Sequence, residues 1–134
     1  MTTTPSVLFV CVKNGGKSQM AAGLMRHTAP GSVTVDSAGT EPGSTVNALS
    51  AQVLQEISVD ITDHTPKAIT PEMVAVADLV VTLGREAHVD PIDGTRFENW
   101  DTDEPSERGI DRMRLVRNDI ATRVDLLRSE LLDT

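Results

Sequence analysis

Several features that are common in secreted, membrane and nucleic-acid-binding proteins are scarce or missing in this chain. Its 134 residues include one cysteine, no tyrosine, one tryptophan and two phenylalanines. A lone cysteine cannot form an internal disulfide bond, which is typical of proteins of the reducing cytoplasm. No apolar run approaches the roughly 18 residues of a membrane span. The first five residues, Met1 to Pro5, lack the basic and apolar regions of a secretory signal. We therefore expect a cytoplasmic protein without membrane association.

The charge balance is acidic. Twenty Asp and Glu residues against 12 Lys and Arg residues give a net charge of −8 at pH 7. Because this charge repels a phosphate backbone, nucleic acid is not an expected partner. An anionic substrate would have to be attracted by charges and dipoles within its own site. The length and the hydrophobic fraction of 39% predict one globular domain over residues 1–134.

Strand-like and helix-like spacing alternates along the chain. Short apolar or alternating runs predict four strands, at residues 7–10, 32–37, 78–83 and 95–100. Helical spacing predicts helices at residues 18–27 and 47–57, a short one starting at Pro71 and a long one from Ser106. Residues 38–43 and 59–70 are predicted as irregular. Helices between strands indicate an α/β fold: a three-layer, four-stranded parallel sheet flanked by helices, with its ligand at the carboxyl ends of the strands.

Each predicted helix has an apolar stripe that should face the core. In the first helix this stripe is Met20, Ala21, Leu24 and Met25. In the second it is Leu49, Val53, Leu54 and Ile57. In the last helix, steps of three and four join Ile110, Met113, Val116, Ile120, Val124, Leu127 and Leu131.

The only cysteine, Cys11, lies where the first predicted strand runs into a glycine-bearing loop, Val12 to Lys17. The helix that starts at Ser18 directs its N-terminus at the same place. Loop N–H groups and a helix N-terminus together form an anion site. The same positive field favours the thiolate, which is the reactive form of cysteine. This segment therefore predicts a nucleophile beside an oxyanion pocket.

A nucleotide-binding loop and a metal site have less support in the sequence than the oxyanion pocket. The run Gly15 to Ser18 also resembles the end of a nucleotide-binding loop, but that motif requires glycine where this chain has Cys11. A GTPase or kinase is therefore disfavoured. The three histidines are scattered without the spacing of metal ligands, so no metal site is expected. Trp100 is predicted to be a packing residue.

The motifs resemble those of the low-molecular-weight tyrosine phosphatase family. A strand ending in cysteine, five residues, a cation and then Ser18 matches the family's catalytic loop. Within the family, residues 18–21 (SQMA) and 36–40 (DSAGT) are similar to the arsenate reductase branch. Residues 99–105 (NWDTDEP) match the family's acid loop, where an acidic residue precedes a proline. The resemblance covers essentially the whole chain and implies the family's phosphatase-like fold.

The resemblance implies a role for each matched residue. Cys11 would attack arsenate, and the hydroxyl of Ser18 would donate to its thiolate. Glu104, directly before Pro105, would protonate the leaving oxygen; Asp103 is the competing candidate, because the family has aspartate before this proline. The asparagine of the loop would brace it, and its glycines would turn N–H groups inward. The oxyanion would be bound by the loop residues Val12, Lys13, Asn14, Gly15, Gly16 and Lys17.

Two departures from the family pattern bear on the reaction. Lys17 replaces arginine, so the charge is kept but the planar fork that grips two oxygens is not. No second cysteine is present, and Gly84 stands where thioredoxin-coupled reductases have one. The chain thus resembles the single-cysteine, mycothiol-dependent reductases of actinobacteria (arsenate-mycothiol transferases). That likeness implies no bound cofactor, an external thiol and a mycoredoxin partner. Glutathione with glutaredoxin is the alternative.

Two other functions stay open at the level of the sequence. A low-molecular-weight protein tyrosine phosphatase would need aromatic walls for the substrate ring, and the aromatic content is only 2%. Replacement of arginine by Lys17 could also leave a non-catalytic protein that only binds arsenate or phosphate-like oxyanions. The sequence is compatible with a monomer or a homodimer.

Overall fold

The computed structural model describes residues 4–102 and 109–132. Within these residues the elements are, in chain order, β1 (Ser6–Cys11), α1 (Lys17–Thr28), β2 (Thr34–Gly39), α2 (Ala48–Gln55), α3 (Pro71–Val76), β3 (Leu79–Leu83), β4 (Arg96–Trp100) and α4 (Gly109–Leu132). The four strands are all parallel and lie in the order β2-β1-β3-β4. The predicted α/β class and parallel sheet are confirmed.

The two faces of the sheet bury alternate residues of the central strands. Phe9 and Val81 point to one face, where α1, α2 and α4 pack together. Leu8 and Val80 point to the other face, which α3 covers. Burial on both faces explains why residues 7–10 of β1 and 79–81 of β3 are all apolar. Trp100, 3% exposed, packs with its ring centroid 5.6 Å from that of Phe9, which confirms its predicted packing role.

The helices follow their predicted stripes with one exception. All of the stripe of α1 is buried, and so is the centre of the stripe of α4. Of the predicted stripe of α2, only Val53 and Leu54 are buried. The prediction that Leu49 and Ile57 face the core is wrong, since they are 37% and 39% exposed. The helix ends at Gln55, so Ile57 no longer follows its helical spacing.

Strand β2 lies two residues further along the chain than predicted. Ala38 and Gly39 were expected in a loop, but they pair with Val10 and Cys11 as the end of the strand. Pairing with the neighbouring strand therefore overrides the loop propensity of glycine at this position. The shift places Gly39 beside Cys11, at the carboxyl edge of the sheet.

None of the helices in the described part of the chain is both long enough and apolar enough to cross a membrane. The long helix α4 is amphipathic, and its buried residues lie on a single side. Residues 106–108, where the sequence predicts the start of this helix, lie outside the described residues.

Candidate active site

Cys11 is the last residue of β1 and lies in the middle of the sheet, between β2 and β3. Its side chain is buried, and the residue is only 8% exposed. The chain then turns through residues 12–16 into α1, which begins at Lys17. The predicted strand–loop–helix arrangement is therefore present, with the sulfur at the carboxyl edge of the sheet. This is the edge where α/β proteins bind ligands.

The sulfur of Cys11 lies within reach of two hydrogen-bond donors. The Oγ of Ser18 is 2.9 Å from Sγ, and the backbone N–H of Asn14 donates to Sγ over 3.2 Å. The Nδ2 of Asn14 donates to the Oγ of Ser18 over 2.8 Å. Because that oxygen already accepts a hydrogen bond, its own proton is free to point at the sulfur. Both groups can therefore donate hydrogen bonds to the sulfur of Cys11.

The side-chain amide of Asn14 is held in one orientation. Its Oδ1 accepts the backbone N–H of Lys67 over 3.0 Å, and a backbone N–H can only donate. The Nδ2 must therefore face Ser18. Gln19, which is 1% exposed, donates from Nε2 to the backbone oxygen of Asn14 over 3.1 Å. Asn14 braces the loop as the resemblance implies.

The sequence alone predicts no part for Gln19 or Lys67 in holding the Cys11 loop. Gln19 is a buried polar residue directly after the motif serine, within an otherwise apolar helix face, and that placement was a usable signal. Lys67 contributes a backbone N–H from a loop 53 positions away. Nothing in its side-chain type could have indicated this contact.

The loop that follows Cys11 turns its carbonyl groups outward. The oxygens of Cys11, Val12, Lys13 and Gly15 accept N–H groups of the segment 40–47. In the described part of the chain, the N–H groups of Val12, Lys13, Gly15 and Gly16 have no acceptor. The N-terminus of α1 also has no side-chain cap. Such a ring of unsatisfied donors is what an oxyanion requires.

The two glycines of the loop do not have the backbone angles that the sequence predicts for them. The left-handed backbone angle belongs to Asn14, with φ of 52°, and neither Gly15 nor Gly16 has a positive φ. Asparagine is one of the few other residues that tolerate this region. Gly15 is instead needed for close approach, because a Cβ there would lie 3.0 Å from the backbone oxygen of Thr45.

The loop forms the floor of an open cavity of about 720 Å³. Cys11, Lys13 and Lys17 all line it, so the structure brings the predicted nucleophile and both predicted cations together. Opposite the loop, the wall includes Leu83, Glu86 and Met113; no lining residue within the described residues is aromatic.

The far side of the site is held by one ion pair and two hydrogen bonds to backbone oxygens near the end of the sheet. Gly84 follows β3 with φ of 92° and donates its N–H to the backbone oxygen of Trp100. Arg85 pairs with Asp101 at 2.5 Å. Arg123 of α4 donates to the backbone oxygen of Asp101. The start of the acidic loop is therefore fastened to β3 and to α4.

The predicted general acids, Glu104 and Asp103, lie outside the described residues, so their role stays a prediction. Within the described residues, no group of three His, Cys, Asp or Glu side chains is placed to hold a metal ion.

A family model for low molecular weight phosphotyrosine protein phosphatase matches residues 6–133. The chain belongs to this family. The match includes the whole sheet, the Cys11 loop and α4.

Curated relatives carry the names of arsenate reductases. "Arsenate reductase 2" of Staphylococcus saprophyticus is 30% identical over 122 residues, which covers 89% of this chain and 92% of the relative. "Arsenate reductase" of Staphylococcus aureus is 29% identical and covers 95% of this chain and 98% of the relative. A "putative arsenate reductase" of Halobacterium salinarum is 28% identical over 87% of this chain and 85% of that protein.

Solved structures agree with the family assignment. A thioredoxin-dependent arsenate reductase of Corynebacterium glutamicum superimposes with a TM-score of 0.85 and 32% identity. That match covers 97% of this chain, but this chain spans only 63% of that protein's length. An arsenate reductase in the phosphate-binding state gives the same TM-score, with 28% identity and 95% and 98% coverage. A tyrosine phosphatase of Erwinia amylovora, at 17% identity, shares the fold.

Proposed function

We propose that this protein is an arsenate reductase in which the Cys11 thiolate attacks arsenate and an external thiol supplies the electrons. The proposal rests on the surroundings of the Cys11 sulfur. Two hydrogen-bond donors reach this sulfur, and it lies at the floor of a pocket whose loop N–H groups have no acceptor. A pocket that only bound oxyanions would not need a nucleophile. The names of the relatives support arsenate as the oxyanion.

The first step forms a sulfur–arsenic bond. The Cys11 thiolate attacks arsenic, and one hydroxyl group of arsenate takes up a proton and leaves as water. Arsenic stays pentavalent, and its three remaining oxygens face the loop N–H groups and the Lys17 ammonium. We propose Glu104 as the proton donor, with Asp103 as the competing residue, because expelling hydroxide without an acid is slow.

The second step transfers two electrons. The thiolate of a small cosubstrate attacks the sulfur of Cys11, and the sulfur–arsenic bond breaks with its electron pair going to arsenic. Arsenite leaves, and Cys11 is left in a mixed disulfide with the cosubstrate. A mycoredoxin or glutaredoxin then exchanges that disulfide and frees Cys11. The thiol must come from outside because Cys11 is the only cysteine in the chain.

We propose mycothiol as the cosubstrate, which would make the protein an arsenate-mycothiol transferase-type enzyme acting in arsenic detoxification. Glutathione is the alternative. The structural neighbour from C. glutamicum is a thioredoxin-dependent enzyme. Gly84, however, stands where the resemblance places a resolving cysteine in thioredoxin-coupled enzymes, so thioredoxin alone is not expected to sustain turnover here.

The phosphatase alternative has less support. The cavity wall within the described residues offers no aromatic side chain to hold a tyrosine ring. The non-catalytic alternative depends on Lys17, and the Lys17→Arg variant tests it. A large gain in activity would indicate a site weakened by lysine, whereas little change or a loss would indicate a site adapted to lysine.

The proposal is tested by measuring arsenite formed from arsenate by the purified protein with three donor systems in parallel. These are mycothiol with mycoredoxin, glutathione with glutaredoxin, and thioredoxin alone. We expect turnover with mycothiol and mycoredoxin and none with thioredoxin. Turnover with thioredoxin alone would contradict the external small-thiol mechanism. Bound arsenate without turnover in any system would leave an oxyanion-binding protein.

A further inference from the structure

A second cavity, of about 590 Å³, lies next to the one that holds the Cys11 sulfur. The two cavities share part of their lining, the residues Ser44, Thr45, Val46 and Ala48. A molecule placed across this shared segment would reach into both cavities at once. The volume is in the range of small-molecule sites, which is roughly 300–1,000 Å³. Nothing in the attack on arsenate itself uses this second cavity.

Most of the surface that lines the second cavity is apolar, and beyond the shared segment hydroxyl and amide groups supply hydrogen-bonding positions on it. Gln52 and Gln55 lie on α2, and Thr62 and Thr65 lie on the loop that follows it. In the part of the chain that the structure describes, the side chains of Gln52, Gln55 and Thr65 have no hydrogen-bond partner. They are therefore available as donors and acceptors for a ligand.

No side chain that lines this cavity within the described residues carries a fixed charge. His64 is the only titratable group among them. Burial lowers the pKa of His64; repulsion from Arg26 and Lys67 lowers it further, and attraction from Asp63 and Asp60 opposes this. The charged imidazolium is therefore disfavoured in this cavity. The two lysines near the site line the Cys11 cavity, where the oxyanion would occupy them.

We infer that this cavity binds the body of the thiol cosubstrate, and that it selects an uncharged, hydroxyl-rich thiol such as a sugar thiol. The inference rests on the proposed function, because it supplies the cosubstrate of that reaction. Hydroxyl and amide side chains form hydrogen bonds with sugar hydroxyls, whereas a tripeptide thiol with two carboxylates would find no cation in this lining. The thiol sulfur would reach Cys11 across the shared segment.

The test measures binding, so that it does not depend on turnover. S-methyl mycothiol, which is uncharged and cannot react, is titrated into the phosphate-loaded protein by isothermal titration calorimetry. S-methyl glutathione is the anionic comparison ligand. We expect the wild-type protein to bind the sugar thiol at least about tenfold more tightly than the peptide thiol, a tenfold difference being about 1.4 kcal/mol.

Two variants assign that binding to the cavity. Gln55→Trp fills the cavity from the exposed side of α2 and should weaken binding of S-methyl mycothiol by about tenfold or more. Ala75→Trp adds the same ring on exposed α3, across the sheet, and should have no effect. Phosphate binding, measured alongside, should be unchanged in both variants and shows that both are folded.

The inference is overturned if the wild type binds both S-methyl thiols equally or binds neither. It is also overturned if Gln55→Trp binds S-methyl mycothiol as tightly as the wild type does. These results are distinct from failure of the proposed function, which would appear as absence of arsenite formation by the wild type in any donor system.

Discussion

Two hydrogen bonds distinguish the sulfur of Cys11 from that of an ordinary buried cysteine. A buried cysteine without donors behaves as a small hydrophobic residue. Here Ser18 and the N–H of Asn14 both reach the sulfur, and Asn14 also fixes the direction of the serine proton. The hydrogen bonds at the sulfur therefore depend on Asn14, whose side chain is itself held by the backbone N–H of Lys67.

Removing the serine donor should slow the chemistry of the sulfur. In Ser18→Ala the sulfur loses one of its two donors, and a hydrogen bond to a charged group contributes about 1.5–3 kcal/mol. We expect alkylation of Cys11 by iodoacetamide at pH 7 to slow by about tenfold or more, measured by intact-protein mass spectrometry. Ser32→Ala, an exposed serine away from the site, is the matched control and should react at the wild-type rate. Equal rates in Ser18→Ala and the wild type would show that the serine does not assist the thiolate.

We expect the positive charge of Lys17 to contribute to arsenate turnover. In Lys17→Met the half-buried ammonium at the start of α1 is lost, and we expect kcat/KM for arsenate to fall by about tenfold or more. Arg96→Met removes the same charge at the start of β4, at the amino-terminal edge of the sheet, and should leave kcat/KM unchanged. A fall of the same size in both variants would indicate that net charge, and not the position of Lys17, attracts the substrate.

At the scale of elements, the site depends on how closely β2 and the segment after it approach the Cys11 loop. Gly39 ends β2, and a Cβ there would lie 2.7 Å from the backbone oxygen of Val12 and 3.0 Å from the Cβ of Asn14. The N–H groups of Thr40, Glu41 and Gly43 then donate to the carbonyl oxygens of Cys11, Val12 and Lys13. The strand end and the loop therefore form one unit.

Adding a methyl group at this junction should destabilise the fold. We expect Gly39→Ala to lower the free energy of unfolding by about 1–3 kcal/mol, because the contacting atoms include backbone and cannot easily move. Gly43→Ala is the matched control: its Cβ would lie 3.9 Å or more from other atoms, so its stability should change by less than about 0.5 kcal/mol. Urea unfolding curves of both variants test this, and equal midpoints would contradict the close approach.

Two ion pairs of Glu56, with Arg114 and Arg117, join the end of α2 to α4. Glu56 caps α2 and accepts hydrogen bonds at 2.7 Å from Arg114 and from Arg117. The hydrogen bond from Arg114 is the largest cause that lowers the pKa of Glu56, with Arg117 adding to it. Because the folded pKa is lowered, the stabilisation is present above the unfolded value of about 4.3 and is lost as the pH falls through the folded value.

Glu56→Gln should therefore lower the urea midpoint at pH 7, and the difference from the wild type should shrink as the pH falls below about 4. Glu72→Gln, on exposed α3, is the control and should match the wild type throughout. A difference between Glu56→Gln and the wild type that persists unchanged at low pH would mean that the carboxylate charge is not what joins the helices.

At the scale of the whole molecule, the alternation of strands and helices was enough to predict the parallel sheet and the edge where Cys11 lies. The placement of Cys11 beside Ser18, and of Lys13 and Lys17 in the same cavity, was also predicted, because these residues are close together in the sequence. The contacts of Lys67 and Gly39 could not be predicted. They depend on backbone groups that the fold brings together from distant segments, and side-chain type carries no information about them. The end of β2 was misplaced for the same reason.

The single cysteine sets the chemistry of the whole molecule. In the proposed reaction Cys11 holds arsenic, but the chain has no second cysteine to release arsenite by itself. The proposed catalytic cycle therefore needs a thiol from outside the chain, and a small cosubstrate would supply it. The second cavity beside the Cys11 site would be the place where the molecule accommodates this missing reactant.

The most direct test compares arsenite formation from arsenate by the wild-type protein and by Cys11→Ser, with mycothiol and mycoredoxin present and with mycothiol left out. Our account predicts many arsenite molecules per wild-type protein with the thiol, none without it, and none from Cys11→Ser, although the serine variant should still bind phosphate. Arsenite formation by Cys11→Ser at the wild-type rate, or by the wild type without any thiol, would contradict Cys11 as the thiol-dependent nucleophile.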